Sequence, residues 1–318
     1  MLRSAELKSL YDQLKTLPEN ERPEFGQAVN KLRNELQQLL GANGGESSTK
    51  TAIDITAPWD INTPADRHPD ILKATKGSVH PLSQEFEKIL DIFTRMGFAA
   101  TESRQIDNEF NMFSALNFPK DHPARDDYDT FITEDGLIAP AHTSTMQNRI
   151  LKENKGLLEK DQPIAYVIPG RVFRNEDVDA RHEHTFHQLE GLYVDKGVNV
   201  GMLIATLKTF LQEYYQQELE VMTQPFYFPF TEPSFEFALS CPFCQKNGCG
   251  ICSYTGWIEL LGCGMIHPNV LKAAGIDPKV YTGFAWGCGI ERLVMMKYGI
   301  EDIRHFHSGK LDFLRQFS

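Results

Sequence analysis

Positive charge is scarce in this chain, and no long apolar run occurs. Its 318 residues include 32 lysines and arginines against 43 aspartates and glutamates, a formal net charge of −11. Neutralising phosphates supplies most non-specific affinity for nucleic acid. A chain this acidic is therefore a poor general binder of RNA, and any RNA contact needs a local basic patch or a basic partner. With no run of about 18 apolar residues, nothing is expected to span a membrane as a helix. The N-terminal stretch MLRSAELKSLYDQ is charged and lacks the apolar core of a signal peptide, and its acids argue against a transit peptide. Neither a G-x-x-x-x-G-K-[ST] loop nor a Rossmann glycine fingerprint is present, so side chains must hold the phosphates of any bound nucleotide. Cysteines number only six, and four of them crowd into CPFCQKNGCGIC. That clustering, without a secretory signal, reads as metal ligation in a reducing, cytoplasmic compartment and not as a disulfide framework.

The chain does hold enough apolar residues, 41%, to bury a real core in one large domain or two smaller ones. Leu7, Leu10, Leu14 and Leu17 step by three and four, as do Phe25, Val29, Leu32, Leu36 and Leu39. The proline-bounded PENERP between them predicts a short helical hairpin over residues 1–40, either packed on its own domain or projecting as an arm. GANGGESSTK opens a linker over residues 41–76, and residues 77–318 read as one continuous domain. In it, HPLSQEFEKILDIFTRMGF predicts a helix from Pro81 to a stop at Gly97. VGMLIATLKTFLQEYYQQELEVM predicts a second helix of about 20 residues. Short β-like runs at DTFIT, IAYVIPG, YFPF and GWIELLGCG, linked by hairpins, predict an α+β fold built on an antiparallel sheet.

The densest chemistry lies in GRVFRNEDVDARHEHTFHQLEG, residues 170–191. It reads as two strands joined by a long polar loop. Alternation puts Phe186, Gln188 and Glu190 in phase on the returning strand, with Arg174 and Glu176 in phase on the outgoing one. A guanidinium can clamp phosphate oxygens, and a carboxylate with an amide can hold an ammonium group. That set suits an amino acid beside a nucleotide. A salt-bridged surface hairpin would use the same letters. A metal site could draw on His182, His184 and His187, although the H-E-x-x-H spacing is missing. Downstream, GFAWGCGIERL runs a glycine-rich strand into a helix starting near Ile290. Arg292 stands at that helix start, where backbone N–H groups already favour an anion. A tight strand–helix junction with a solvated arginine is the plainer account.

Together these pieces resemble motifs 2 and 3 of the class II aminoacyl-tRNA synthetases. More narrowly, HTS at residues 142–144, GRVFRNE, FHQLEG, YFPFTEPS, GCGMIHPNVL, GIDP and GFAWGCGIERL are similar, in order, to the α subunits of bacterial-type phenylalanyl-tRNA synthetases. The likeness covers residues 77–318. It implies a class II antiparallel sheet flanked by helices, and an enzyme that activates L-phenylalanine with ATP and passes it to tRNA(Phe). It further implies that Arg174 grips the α-phosphate beside His182, that Glu176 meets the adenine amino group, and that Phe186 stacks on the adenine. Arg292 would cover the other adenine face and reach the γ-phosphate. Gln188 and Glu190, with His142 and Ser144, would orient the substrate's ammonium and carboxylate. Phe228 and Phe230 would meet the phenyl ring, above a floor made by Ala285 with Gly283 nearby. Glu232 would bind Mg²⁺, with Glu259 as a second candidate. The family works as two α and two β chains, and the β subunit carries much of the tRNA contact. A non-catalytic paralogue, kept as a tRNA-binding or regulatory module, would not need this complete reactive set. A zinc-knuckle nucleic-acid protein disagrees with the charge.

The sequence departs from the family pattern in three places. The N-terminal hairpin is short, which puts arm-mediated tRNA contact in question. The segment before HTS reads LIAPA where the family commonly has an arginine. Finally, the two C-x-x-C pairs Cys241/Cys244 and Cys249/Cys252 form a four-thiolate set suited to structural zinc, with an iron–sulfur centre or a metal-free loop as alternatives. Four cysteines leave no open coordination position. Cys263 and Cys288 read as buried small residues outside that set.

Overall fold

The computed structural model describes residues 5–18, 21–42, 77–125, 130–249, 252 and 254–317. The chain divides into two compact units, Met1–Ile71 and Leu72–Ser318. In the first, helices α1 (Ala5–Thr16) and α2 (Arg22–Ala42) pack on each other. Pro18 turns the chain between them: its carbonyl accepts from the N–H groups of Glu21 and Arg22. Val29 is buried on α2, as the leucine spacing requires, but Leu32 stays exposed. The side chains of Leu7, Leu14 and Leu39 and the linker beyond residue 42 lie outside the described residues.

The second unit is built on one seven-stranded sheet. Its strands are β1 (Ala99–Ala100), β2 (Ile164–Phe173), β3 (Thr185–Asp195), β4 (Val221–Phe228), β5 (Thr231–Ser240), β6 (Trp257–Ile266) and β7 (Thr282–Gly289). They lie in the order β1-β2-β3-β7-β6-β5-β4. All pairings are antiparallel except β1 with β2, so the sheet is mixed at one edge. Helices α3 (Pro81–Arg95), α6 (Val200–Tyr215) and α8 (Ile290–Tyr298) cover one face. Phe93, Phe210, Leu207, Leu293 and Trp286 meet there, with the Trp286 ring 5.0 Å from that of Phe93 and stacked on it. On the other face, α5 (Gln147–Leu158), which follows the short helix α4 (Glu109–Met112) in the chain, and α7 (Pro268–Ala273) pack Leu151, Leu158, Val270 and Leu271 against Ile164, Leu192 and Val194. Among the described residues no helix is long and apolar enough to cross a membrane.

Three local expectations need correction. The second long helix stops at Tyr215, because Gln216 takes a left-handed conformation (φ 54°), and Val221 and Met222 open β4 instead. DTFIT forms no strand among its described residues, only an isolated bridge from Ile132 to Ile138. β2 ends at Phe173, so Arg174 stands just past the strand rather than within it, its N–H held by the His184 carbonyl at 2.9 Å.

Candidate active site

The site follows from strand register. Residues directly opposite in a ladder point to the same face. Glu190 faces Gly287, Leu192 faces Ala285 and Gln188 faces Gly289 across β3 and β7. Gly262 and Gly264 of β6 then face Gly287 and Ala285. Every second residue of β7 on this face is glycine or alanine, while Phe284, Trp286 and Cys288 point to the helical core. The small residues leave a hollow in the sheet face, and Gln188 and Glu190 stand at its side. A Cβ on Gly287 would come within 2.6 Å of the Gln188 amide nitrogen, so only glycine lets that amide lie across the strand.

The resulting cavity of about 310 Å³ is lined by His142, Ser144, Gln147, Arg174, Gln188, Glu190, Phe228, Phe230 and Ala285, among others. Eight of the residues picked from the sequence thus converge, from segments far apart along the chain. One end is polar. Glu190 is almost wholly buried and accepts from Ser144 Oγ and from Gln147 Nε2 at 2.5 Å. Burial pushes its carboxyl up to about 7, against the opposing pull of these donors. His142 packs against the rings of Phe118 and Phe230, which also touch each other. Burial, with the Arg174 charge nearby, holds it down to about 4, so it is neutral at pH 7. Both His142 ring nitrogens, Gln188 Oε1 and Gln147 Oε1 are buried without a hydrogen-bond partner. Buried polar atoms are rarely left unpaired, and four of them on the residues lining one cavity point to a polar ligand. The other end is apolar: Phe228 and Phe230 stack at 5.7 Å, half-buried, across from Ala285 and Gly262.

Arg174 sits at the mouth. Its Nε donates to the Ala141 carbonyl at 3.1 Å, Nη1 lies 3.7 Å from Glu176 Oε1, and the guanidinium lies 5.0 Å from the ring centre of Phe186. A larger open depression of about 630 Å³, beside Gln84, Tyr298, His305 and Phe317, holds none of these unpartnered buried atoms.

Several of the sequence's candidates lie outside the cavity lining. His182 is exposed and bound to Asp179 at 3.0 Å in the loop between β2 and β3. Arg292 is exposed on the first turn of α8. Gly283 packs tightly instead, since a Cβ there would lie 2.6 Å from the Tyr193 carbonyl. Glu232 and Glu259 are exposed. Conversely, Gln147, Thr231, Gly262, Cys263 and Gly287 line the cavity without having been singled out for it. Gln147 follows Ser144 by three residues, the spacing at which one helical turn returns a side chain to the same side.

The four knuckle cysteines come together at the far end of the β5–β6 hairpin, their sulfurs all within 4.8 Å of one another. Among the described residues they are the one group of His, Cys, Asp or Glu able to hold a metal ion. Cys241–Cys249, Cys244–Cys252 and Cys249–Cys252 sulfur distances are 3.8, 3.7 and 3.8 Å. A tetrahedron of thiolates about 2.3 Å from a zinc ion has edges of about 3.8 Å. Gly248, at φ +85°, makes the tight turn, and Gly250 lies outside the described residues. Cys263 and Cys288 stay apart from this group, and burial pushes both thiols up to about 12.

Residues 60–317 match the family model of the class II tRNA synthetase core domain (F), and residues 3–49 match the class II aminoacyl-tRNA synthetase N-terminal domain. A phenylalanine–tRNA ligase α subunit of Leptospira biflexa is 43% identical over 318 residues, covering 99% of this chain and 89% of that protein. The same subunit of Staphylococcus epidermidis is 40% identical (99% and 87% covered), and that of Bacillus mycoides 44% (95% and 85%). The chain belongs to the phenylalanine–tRNA ligase α-subunit family. The family's class II core accounts for the antiparallel sheet with helices on both faces. It also accounts for the glycine-floored strand that runs into α8.

Proposed function

We propose that the chain is the catalytic subunit of a phenylalanine–tRNA ligase. It condenses L-phenylalanine with ATP to phenylalanyl-adenylate and transfers the acyl group to the 3′ end of tRNA(Phe). One observation carries this reading: a single cavity joins a buried carboxylate and unpartnered amides to a pair of phenylalanine rings over an alanine floor. The polar end suits the ammonium and carboxylate of an amino acid, through Glu190, Gln188, Ser144 and neutral His142. The apolar end suits a benzyl side chain, with edge-to-face contact to Phe228 or Phe230. Ala285 offers a tyrosine hydroxyl no partner.

The nucleotide would lie beyond the mouth, with Arg174 on the α-phosphate beside His182, Glu176 and Phe186 on the adenine, and Arg292 over its other face. The amino acid's carboxylate attacks the α-phosphorus and pyrophosphate leaves, so no enzyme nucleophile is needed. Rate comes from holding the two reactants in line, worth ~7–11 kcal/mol in favourable cases, and from guanidinium charge at the phosphates. The family uses ATP with Mg²⁺. Glu232, just past YFPF, is the candidate carboxylate, with Glu259 as a second; exposed carboxylates of this kind suit an ion held mainly by substrate phosphates and water. Mg²⁺ would neutralise charge on the leaving pyrophosphate.

The four cysteines would hold structural zinc, which the sulfur spacing supports. A net charge of −11 supports a partner: a β subunit, in two-α, two-β assembly, would carry much of the tRNA contact. Residues 1–40 would be a shortened arm, residues 41–76 a linker and residues 77–318 the catalytic domain, in a reducing cytoplasmic setting. The test is charging of a tRNA(Phe) transcript with labelled phenylalanine by the chain co-purified with its β subunit. Charging by the pair and none by the chain alone is expected. No charging by a well-folded pair would overturn the proposal.

A further inference from the structure

We propose that Glu291 is a positioning residue for the nucleotide half of the site, its carboxylate standing in for the strand residue that β7 no longer supplies. The proposal rests on the function just given. The β3–β7 ladder runs from Asp195 opposite Thr282 to Gln188 opposite Gly289 and ends there, because Ile290 starts α8. Past that point Thr185, Phe186 and His187 pair only with β2, through Phe173, Val172 and Arg171. This end of β3 would be held on one side alone. Glu291 closes the open side. Both of its carboxylate oxygens accept from the His187 backbone N–H at 2.9 Å, and His187 Nδ1 lies 2.7 Å from Oε1. Phe86 of α3 packs edge-on against the His187 ring at 5.5 Å.

Glu291 is 1% exposed. A buried carboxylate is costly unless its hydrogen bonds are made, so an apolar side chain would serve better if packing were the only need. Its neighbours show what the clamp governs. His187 lies between Phe186 and Gln188, and Glu291 immediately precedes Arg292. One carboxylate thereby fixes the β3 end that carries Phe186 to the helix that carries Arg292. Glu190 and the Phe228–Phe230 pair are held by other contacts, in the intact ladder and in the β4–β5 hairpin. Loss of the clamp should loosen the grip on ATP and leave that on phenylalanine.

The test is phenylalanine-dependent ATP–pyrophosphate exchange by the chain with its β subunit, with thermal midpoints to confirm folding. Glu291→Ala should raise the KM for ATP about tenfold or more, with the KM for phenylalanine within about twofold. Glu291→Gln keeps a carbonyl that accepts from the His187 N–H, and should return to within about threefold of wild type. If the alanine variant does not fold, Glu291→Asp, one methylene short of His187, should show the ATP defect instead. An unchanged ATP KM, a parallel rise in both KM values, or a glutamine variant as impaired as alanine or aspartate would overturn the assignment. A folded wild-type pair without exchange would sink the function itself and this role with it, a failure the control separates from that of Glu291.

Discussion

A Cβ placed on Gly262 would stand 2.6 Å from the tip of the Phe228 ring and 2.9 Å from the next ring carbon. The tip of the ring reaches β6 only because position 262 has no side chain. Phe228 is also wedged between Phe226, at 4.9 Å, and Phe230, at 5.7 Å. An added methyl group therefore has to push the ring toward the cavity. Gly262→Ala should raise the KM for phenylalanine about tenfold, leave that for ATP unchanged, and cost about 1–3 kcal/mol of stability. Exchange kinetics at varied phenylalanine and at varied ATP check this. An unchanged phenylalanine KM would place the ring elsewhere.

Glu190 gives the site a pH signature. Its carboxyl stands at about 7 when folded, against 4.5 ordinarily. Stability from this group is complete below about pH 4.5 and is lost as pH rises through 7, by up to about 3 kcal/mol. Ligand binding runs the other way, because an ammonium group needs the carboxylate ionised. Phenylalanine affinity, measured calorimetrically, should rise about tenfold from pH 6 to pH 8. His142 stays neutral throughout that window. Glu190→Gln should flatten both profiles. A wild-type affinity that is level across this range would contradict the assignment.

The knuckle is tied to the main core. Cys241 and Cys252 are buried in it, and Cys244 and Cys249 pack against it. Purified protein should contain about one zinc per chain. Cys244→Ser should lose the metal and lower the thermal midpoint by several degrees, since site formation is coupled to folding. Phenylalanine and ATP KM values of the folded variant should stay near wild type, because no coordination position is open to substrate. Equal zinc in the variant would remove the site.

Glu85 is fully buried on α3 and holds three partners: Lys88 Nζ at 2.6 Å, Lys297 Nζ at 2.8 Å and Tyr298 Oη at 2.7 Å. It ties α3 to the C-terminal end of α8. Glu85→Ala leaves the mostly covered Lys297 without its carboxylate and should cost about 2–4 kcal/mol by urea denaturation. Lys88 is half-exposed, so Lys88→Ala should cost under about 1 kcal/mol. Equal effects would show that the pairing is not what anchors α8.

Much of this was legible in the sequence, and the exceptions have physical causes. The cavity residues Gln188 and Glu190 were legible because strand alternation and a family resemblance agreed on them, and Phe228, Phe230 and Ala285 through the resemblance alone. Gly262 and Gly287 were not, because a glycine's value as absent volume appears only once the facing strand is known. The Glu291–His187 clamp spans 104 positions, and neither residue has a local pattern that announces the other. The overrun of α6 has a plainer cause. Apolar spacing continues through Val221 and Met222, whereas the left-handed backbone at Gln216, which ends the helix, carries no glycine signal.

Phenylalanine and ATP are proposed to sit side by side on this chain, the first in the cavity and the second beyond its mouth. Amino-acid-dependent ATP–pyrophosphate exchange by the co-purified α and β chains tests it most directly, with phenylalanine compared against tyrosine and leucine. Exchange driven by phenylalanine, with tyrosine weaker by at least about a hundredfold and leucine inactive, is the expected result. Exchange that follows tyrosine or leucine equally well, or none with any of the three, would contradict it.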